Sequence, residues 1–271
     1  AEPPQDGRKR APCVFFRRGA CRNGTSCPFL HEDPGSAAAG SVAPPPRTFI
    51  VQHIPGVPYY SIDVECVATA VQHNARTIAQ IGLVSQDEQP VANLYVKPVQ
   101  PVVSYLGALT GLSKELLDQH GMPLETALAQ LRALLPKNSV LVGQNIRQDV
   151  EWLGLVEGVD YASLIDLAAL FRVWNPERRT FQYFGQDHVA TCWLGQANDG
   201  TAHNAVTDAI KSMQLFNMYV RVCADPLQLA AMQRRMVTTP IFPSFAKRSP
   251  VYEGCCMGNR KTCTCGAPFF S

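Results

Sequence analysis

The sequence predicts a mixed α/β domain, one sheet flanked by helices, between a small cysteine-histidine module and an irregular cysteine-rich tail. Three observations predict it. Strand-like segments come first, separated by a polar turn, and segments of helical spacing alternate with strands after them. Residues 34–47, PGSAAAGSVAPPPR, are small, proline-rich and almost uncharged, so they build no core and read as a linker. Beyond Thr238 four prolines, scattered aromatics and four cysteines carry no periodicity.

The elements follow in order. Residues 48–52, 60–67, 77–84 and 91–96 read as strands, with the polar stretch Ser85–Gln89 turning the third into the fourth. Residues 122–135 carry Leu124, Ala127, Leu128, Leu131 and Leu134 at helical spacing. Residues 139–143, SVLVG, form a short apolar strand, and Asn145 with Gln148 three residues on suits a helix start. Residues 161–171 start strand-like and become helical. Val206, Ile210, Met213, Phe216 and Val220 space residues 204–220 as a helix, and residues 226–236 suit another. The domains expected are 1–33, the linker 34–47, 48–224 and a basic tail 225–271.

Charge is unevenly placed. Residues 1–31 and residues 225–271 each hold six Lys/Arg against two Asp/Glu, whereas residues 32–224 hold twelve against eighteen. Basic ends suit a polyanion and an acidic middle suits cations, although solvated surface charge has the same signature. No run of about 18 apolar residues is present, so no membrane partner is expected. The N-terminal AEPPQDGRKRAP has no apolar stretch of signal-peptide type. Short-spaced Cys/His clusters then read as zinc ligands in a reducing compartment, nucleus or cytoplasm, and the protein is expected not to be secreted.

Two cysteine clusters stand out. Cys13, Cys21, Cys27 and His31, spaced x7, x5 and x3, offer three thiolates and an imidazole, a complete tetrahedral zinc shell. Cys255, Cys256, Cys263 and Cys265 are the second candidate zinc set, with reduced thiols in a loose tail as the alternative.

In Ser61-Ile62-Asp63-Val64-Glu65-Cys66, strand alternation puts Asp63 and Glu65 on one face and Ile62, Val64 and Cys66 on the other. Paired carboxylates repel each other, and a divalent cation resolves the conflict because hard cations take oxygen ligands. An exposed edge strand is the competing explanation. Asp149 falls in the first turn of a helix after a strand, where an acid also serves the helix dipole. Asp208 sits in a largely apolar helical stretch, a costly place for a charge without a partner. His203 lies at the entrance of that helix.

None of these residues decides the function singly, but together they resemble a known family. Asp63-x-Glu65, then Val142-Gly143-Gln144-Asn145 followed by Asp149, then His203-x4-Asp208 are similar to the three motifs of DEDDh 3′→5′ exonucleases. Gln144 stands where His is common. Leu109-Thr110-Gly111-Leu112 is similar to another family segment. The resemblance covers roughly residues 48–220 and points in particular to RNA exonuclease 4-like and small-RNA-degrading nucleases. It implies an RNase H-like fold for the mixed sheet. It implies that Asp63, Glu65, Asp149 and Asp208 hold two Mg²⁺ or Mn²⁺ ions about 4 Å apart, with His203 as general base. The product would be a nucleoside 5′-monophosphate. Asn204 occupies the position where a sister class has Tyr. Asp166 is expected to be structural and His188 to lie on a helix surface without a catalytic part. Val67 and Leu109 are candidates for an apolar wedge at the terminal bases.

The first cysteine module resembles a CCCH zinc finger, with Gly19 and Gly24 fitting between its ligands. Such fingers commonly bind single-stranded RNA. Phe15, Phe16 and Phe29 suit base stacking, and Arg17, Arg18 and Arg22 suit phosphates. The expected partner is therefore RNA, single-stranded with a free 3′ end. A DNA exonuclease and a non-catalytic RNA-binding protein remain as alternatives.

Overall fold

The computed structural model describes residues 50–198, 200–259 and 261–265. The chain divides into two units at Arg47/Thr48, and the described residues belong to the second. Cys13, Cys21, Cys27, His31 and the RNA-contact candidates Phe15, Phe16, Arg17, Arg18, Arg22 and Phe29 lie outside the described residues.

Three strands, β1 (Tyr59–Ala68), β2 (Arg76–Ser85) and β3 (Pro90–Tyr95), form an antiparallel meander. β4 (Val140–Gly143) and β5 (Ser163–Asp166) extend the sheet in parallel, giving a five-stranded order β3-β2-β1-β4-β5. Both sides of β1 are occupied, so residues 50–54 find no sheet edge there. They run as irregular chain, with Val51 packed against the core, and the strand expected at 48–52 does not form over its described part. Four short or medium helices follow the meander and β4: α1 (Gly107–Thr110), α2 (Lys114–His120), α3 (Leu124–Leu134) and α4 (Ile146–Trp152). α5 (Leu167–Leu170) continues from β5. The hairpin of β6 (Val173–Asn175) and β7 (Thr180–Gln182) leads to α6 (Gln186–Leu194). α7 (Ala205–Val222) is the long helix of the domain.

The core lies on both faces of the sheet. Ile62, Ile81, Leu83 and Leu141 pack with Ala127 and Leu131 of α3 and Ile146 and Val150 of α4. On the other face Tyr59, Val84 and Val142 meet Met213, Phe216 and Tyr219 of α7. Burial on both sides explains why β2 is apolar almost throughout.

One glycine lets α7 reach its place. Gly82 faces Asp63 across the β1–β2 pairing, and a Cβ on it would stand 2.4 Å from the backbone carbon of Ala205. The first turn of α7 therefore rests directly on the sheet beside Asp63. Buried Gln80, opposite Glu65, completes the seat: its Oε1 accepts the Ala205 N–H at 3.2 Å and its Nε2 donates to Asn93 Oδ1 at 2.9 Å. Asn204 caps the helix by accepting from the Val206 and Thr207 N–H groups.

The tail is better packed than its composition suggests. Residues 226–236, read as helical, belong to α8 (Pro226–Thr238), which Asp225 caps and which buries Leu229 and Met236 in the core. Beyond it come α9 (Phe245–Arg248) and a two-strand pairing of β8 (Val251–Tyr252) with β9 (Cys255–Cys256). Cys255 is fully buried with Ala68 and Leu106. His188 is a correction: it is buried, stacks on Phe184 and bonds through Nε2 to the Met236 carbonyl at 2.8 Å, joining α6 to α8. No helix among the described residues is long and apolar enough to cross a membrane.

Gly82→Ala is expected to destabilise the domain by about 2 kcal/mol or more, because rigid backbone, not a mobile side chain, meets the added methyl. Urea unfolding followed by far-ultraviolet circular dichroism measures it. An unchanged midpoint would contradict the close seating of α7.

Candidate active site

The four acids come from three elements. Asp63 and Glu65 project from β1, half-buried, on the face that the entrance of α7 covers. Asp208, buried, stands in the first turn of α7. Asp149, buried, stands in the first turn of α4. The β4–α4 turn that delivers it uses Asn145 differently from expectation. Asn145 adopts left-handed geometry (φ 54°, ψ 34°) and makes no side-chain cap, so its contribution is tolerance of that conformation. Asp166 Oδ1 instead accepts the Asn145 N–H at 3.0 Å and the Ala168 N–H at 2.9 Å. Asp166 thus ties β5 to the Asp149 turn, a structural task as expected. Gln144 donates to the Phe184 carbonyl at 3.0 Å.

His203 sits at the mouth of the cluster. Its backbone N–H bonds to the Leu109 carbonyl at 2.6 Å, which explains the value of the segment around Leu109. Its Nδ1 lies 2.8 Å from Asp208 Oδ2, and its Nε2 lies 3.8 Å from Asp187 Oδ2. Glu65, His203 and Asp208 each place one donor atom within 4.8 Å of the others.

Two participants were not visible as candidates in the sequence. Lys211 Nζ bonds to Asp208 at 2.9 Å and to Asp187 at 2.7 Å. Lys211 follows Asp208 by three residues, a spacing that puts both on one helix face and was the available signal. Asp187, distant in sequence, carried none. Val67 is a correction: it is fully buried with Ala79, Leu112 and Leu117, so it offers no apolar wedge to a base. Leu109, by contrast, lines a cleft of about 490 Å³ together with Tyr183, Gln186, His203, Phe242 and Arg248.

The second cysteine set is also corrected. Cys255 is sealed beneath Leu106, whereas Cys256, Cys263 and Cys265 gather around His73 from the β1–β2 connection. Along β9 successive side chains point to opposite faces, so Cys255 and Cys256 cannot serve one site.

Residues 61–216 match the family model described as Exonuclease (RNase_T). The chain belongs to this exonuclease family. Residues 8–33 match the zinc finger C-x8-C-x5-C-x3-H type (and similar), a match that implies zinc. In this chain seven residues, not eight, separate Cys13 from Cys21. The chain is similar to small RNA degrading nuclease 3 of Arabidopsis thaliana (27% identity over 156 residues) and to RNA exonuclease 5 of Homo sapiens (28% over 167 residues). These matches cover 57% and 60% of the chain but 19% and 20% of the relatives, so it spans about a fifth of their length over the match. Its fold is similar to the Neurospora crassa Pan2 catalytic unit, with a TM-score of 0.57 at 17% identity over 71% of this chain and 32% of that one. It is likewise similar to the Saccharomyces cerevisiae Pan2 module in complex with AAGGAA RNA, with a TM-score of 0.56 at 15% identity over 66% and 31%.

Membership implies divalent metal ions, and the donor set fits them. Burial, then the charges of Asp149, Glu65 and Asp208, hold the Asp63 carboxyl well above the usual carboxylate range. Burial and the Asp208 charge push Glu65 up to about 8. Burial also pushes Asp149 up to about 8, although backbone N–H groups oppose it. Burial acts on Asp208 too, but the His203 hydrogen bond and the Lys211 charge outweigh it and leave that carboxyl lowered. In return the Asp208 hydrogen bond raises the His203 imidazole. Converging oxygen donors with too little positive charge around them are what hard divalent ions neutralise.

The linkage has a definite direction. Asp63, Glu65 and Asp149 bind protons more tightly in the folded protein than in the unfolded chain. Their stabilising effect is full below the ordinary carboxylate range and is lost as the pH rises through the raised folded-state values, which for Glu65 and Asp149 lie near 8. His203 follows the same direction and Asp208 the opposite one. Protein dialysed free of magnesium and manganese is therefore expected to melt at a lower temperature at about pH 8 than at about pH 5. Added Mg²⁺ or Mn²⁺ should raise the melting temperature more at the higher pH. A melting temperature that rises with pH, or an ion effect larger at about pH 5, would contradict this account of the acids.

Proposed function

We propose that the protein is a metal-dependent 3′→5′ exoribonuclease whose finger assists RNA capture. The observation that carries this reading is the convergence of Asp63, Glu65, Asp149 and Asp208, with His203 at their open side, in a member of the exonuclease family. The names of the relatives and the RNA bound to the yeast Pan2 module favour RNA as the polymer. The finger favours it too, with Cys13, Cys21, Cys27 and His31 as zinc ligands and Phe15, Phe16, Arg17, Arg18 and Phe29 as contacts to the strand. Residues 34–47 would act as a flexible tether reaching about 20 Å, which raises the local concentration of captured RNA.

Asp63, Glu65, Asp149 and Asp208 would hold two Mg²⁺ or Mn²⁺ ions, which when bound supply Lewis acidity to the scissile phosphate and the attacking water. His203 would take the proton from that water. Nδ1–H donated to Asp208 leaves Nε2 as the accepting nitrogen. Asp187, near Nε2 and paired with Lys211, would stabilise the imidazolium that forms. The water oxygen bonds to phosphorus, the P–O3′ bond breaks and the 3′ oxygen of the shortened strand takes a proton. A nucleoside 5′-monophosphate leaves. Leu109, Tyr183 and Phe242 offer the terminal bases apolar and aromatic surface.

A 5′-labelled single-stranded RNA incubated with Mg²⁺ or Mn²⁺ is expected to shorten one nucleotide at a time from a free 3′ hydroxyl. Asp63→Ala should reduce cleavage to background, and His203→Ala should lower kcat by about 10²–10⁴-fold. Equal, slow cleavage by wild type and Asp63→Ala would sink the enzyme reading, and faster digestion of single-stranded DNA would move the substrate to DNA. Removing residues 1–33 is expected to raise KM for long RNA and leave kcat unchanged, measured by steady-state kinetics on the same substrate. Equal KM values would remove the finger from substrate capture.

A further inference from the structure

We propose that His73, Cys256, Cys263 and Cys265 form a structural zinc site that fastens the C-terminal segment to the β1–β2 connection beside the active site. Four donor atoms, one imidazole nitrogen and three sulfurs, lie within 4.8 Å of one another. Cys256 Sγ is 3.0 Å from Cys263 Sγ, Cys263 Sγ is 2.9 Å from Cys265 Sγ, and His73 Nδ1 is 3.4 Å from Cys265 Sγ. The sulfur separations exceed the roughly 2.05 Å of a disulfide bond. An odd number of thiols would also leave one unpaired. Four soft and borderline donors in a compact group match the closed Cys₃His shell of a structural zinc, whose Zn–S bonds of about 2.3 Å set donor separations near 3.8 Å.

The surrounding backbone is arranged for such a site. Gly258, at φ 75°, turns the chain after Cys256, its N–H points at Cys256 Sγ at 3.3 Å, and it lies against the His73 ring. An N–H donated to sulfur favours the thiolate, the form that binds metal. Asn259 closes the next turn, its carbonyl accepting the Thr262 and Cys263 N–H groups. Arg76 donates to the Cys256 carbonyl at 2.8 Å, and the Cys256 N–H bonds to the Val71 carbonyl at 2.7 Å, so β9 runs along the β1–β2 connection.

The segment needs such a fastening. Among the described residues past α8, Cys255 is the one buried apolar side chain, so hydrophobic burial holds this part weakly. A zinc joining His73 to Cys265 closes a loop of 192 residues, and metal binding then supplies folding energy. The fastened segment also carries Phe242, Phe245 and Arg248, which wall the cleft at His203, and Met257, which lines a hollow next to Glu65. The zinc would stiffen the substrate-facing wall without touching the reacting atoms.

The test is zinc content of the full-length chain, purified under reducing conditions and dialysed without chelator. His73→Ala, Cys263→Ser and Cys265→Ser should each contain one zinc fewer than wild type, whereas His73→Cys and Cys255→Ala should contain as much as wild type. A separate measurement leaves the proposed site intact: cobalt substituted into a Cys13→Ser/Cys27→Ser variant should still show the thiolate-to-cobalt charge-transfer band. Zinc content equal in wild type and Cys263→Ser would overturn the proposal. So would a cobalt band that vanishes with the finger cysteines, or a disulfide between Cys256 and Cys263 found by thiol counting in unfolded protein. None of these readouts depends on nuclease activity, so the site stands or falls separately from the proposed exoribonuclease function.

Discussion

The structure depends most on the burial of Asp63, Glu65 and Asp149 close to one another and on the positive groups that meet the cluster from one side only. Lys211 and His203 both reach Asp208, which keeps its charge, whereas burial holds the other three acids above their ordinary range, helped at Asp63 and Glu65 by the neighbouring acids and at Asp149 by Asp166. Apolar packing on both faces of the sheet must hold this cluster together against its own charge. An arrangement that strained is expected where cations bind, and the acids are accordingly the proposed metal ligands.

Holding those acids in register is a problem of close approach. Asp63 and Glu65 are opposite Gly82 and Gln80 on the neighbouring strand, and those two residues receive the first turn of α7. A side chain at residue 82 would push the helix away, and with it His203 and Asp208. Asn204 and Gln80 satisfy the N–H groups that the helix start exposes, so the helix entrance can be buried next to charge. Asp187 and Lys211 then brace the outer side of His203 and Asp208. The positioning groups thus come from β2, α6 and α7, each of them remote in sequence from Asp63.

Much of this was legible in the sequence because it is local. Alternation on β1 assigned Asp63 and Glu65 to one face, helical spacing found α3, α7 and part of α8, and motif order gathered five residues into one expected site. The readings that failed depended on distant neighbours. Val67 looked like an exposed apolar residue until α2 covered it. His188 looked like a surface residue until α8 packed over α6. Cys255 looked like a ligand equal to Cys256, but a two-residue strand sends them to opposite sides. Residues 48–52 had strand-like content, but β1, the strand they lead into, is already paired on both sides, and the part the structure describes joins no sheet.

The sequence by itself determined the alternating α/β order, the candidate acids and histidine, and the family resemblance, because these rest on spacing along the chain. Tertiary structure alone decided which side chains meet. Gly82 under Ala205, Asp187 beside His203, and His73 in place of Cys255 each join segments whose separation along the chain carries no periodic signal. Only the folded chain, by closing those loops, shows the partners.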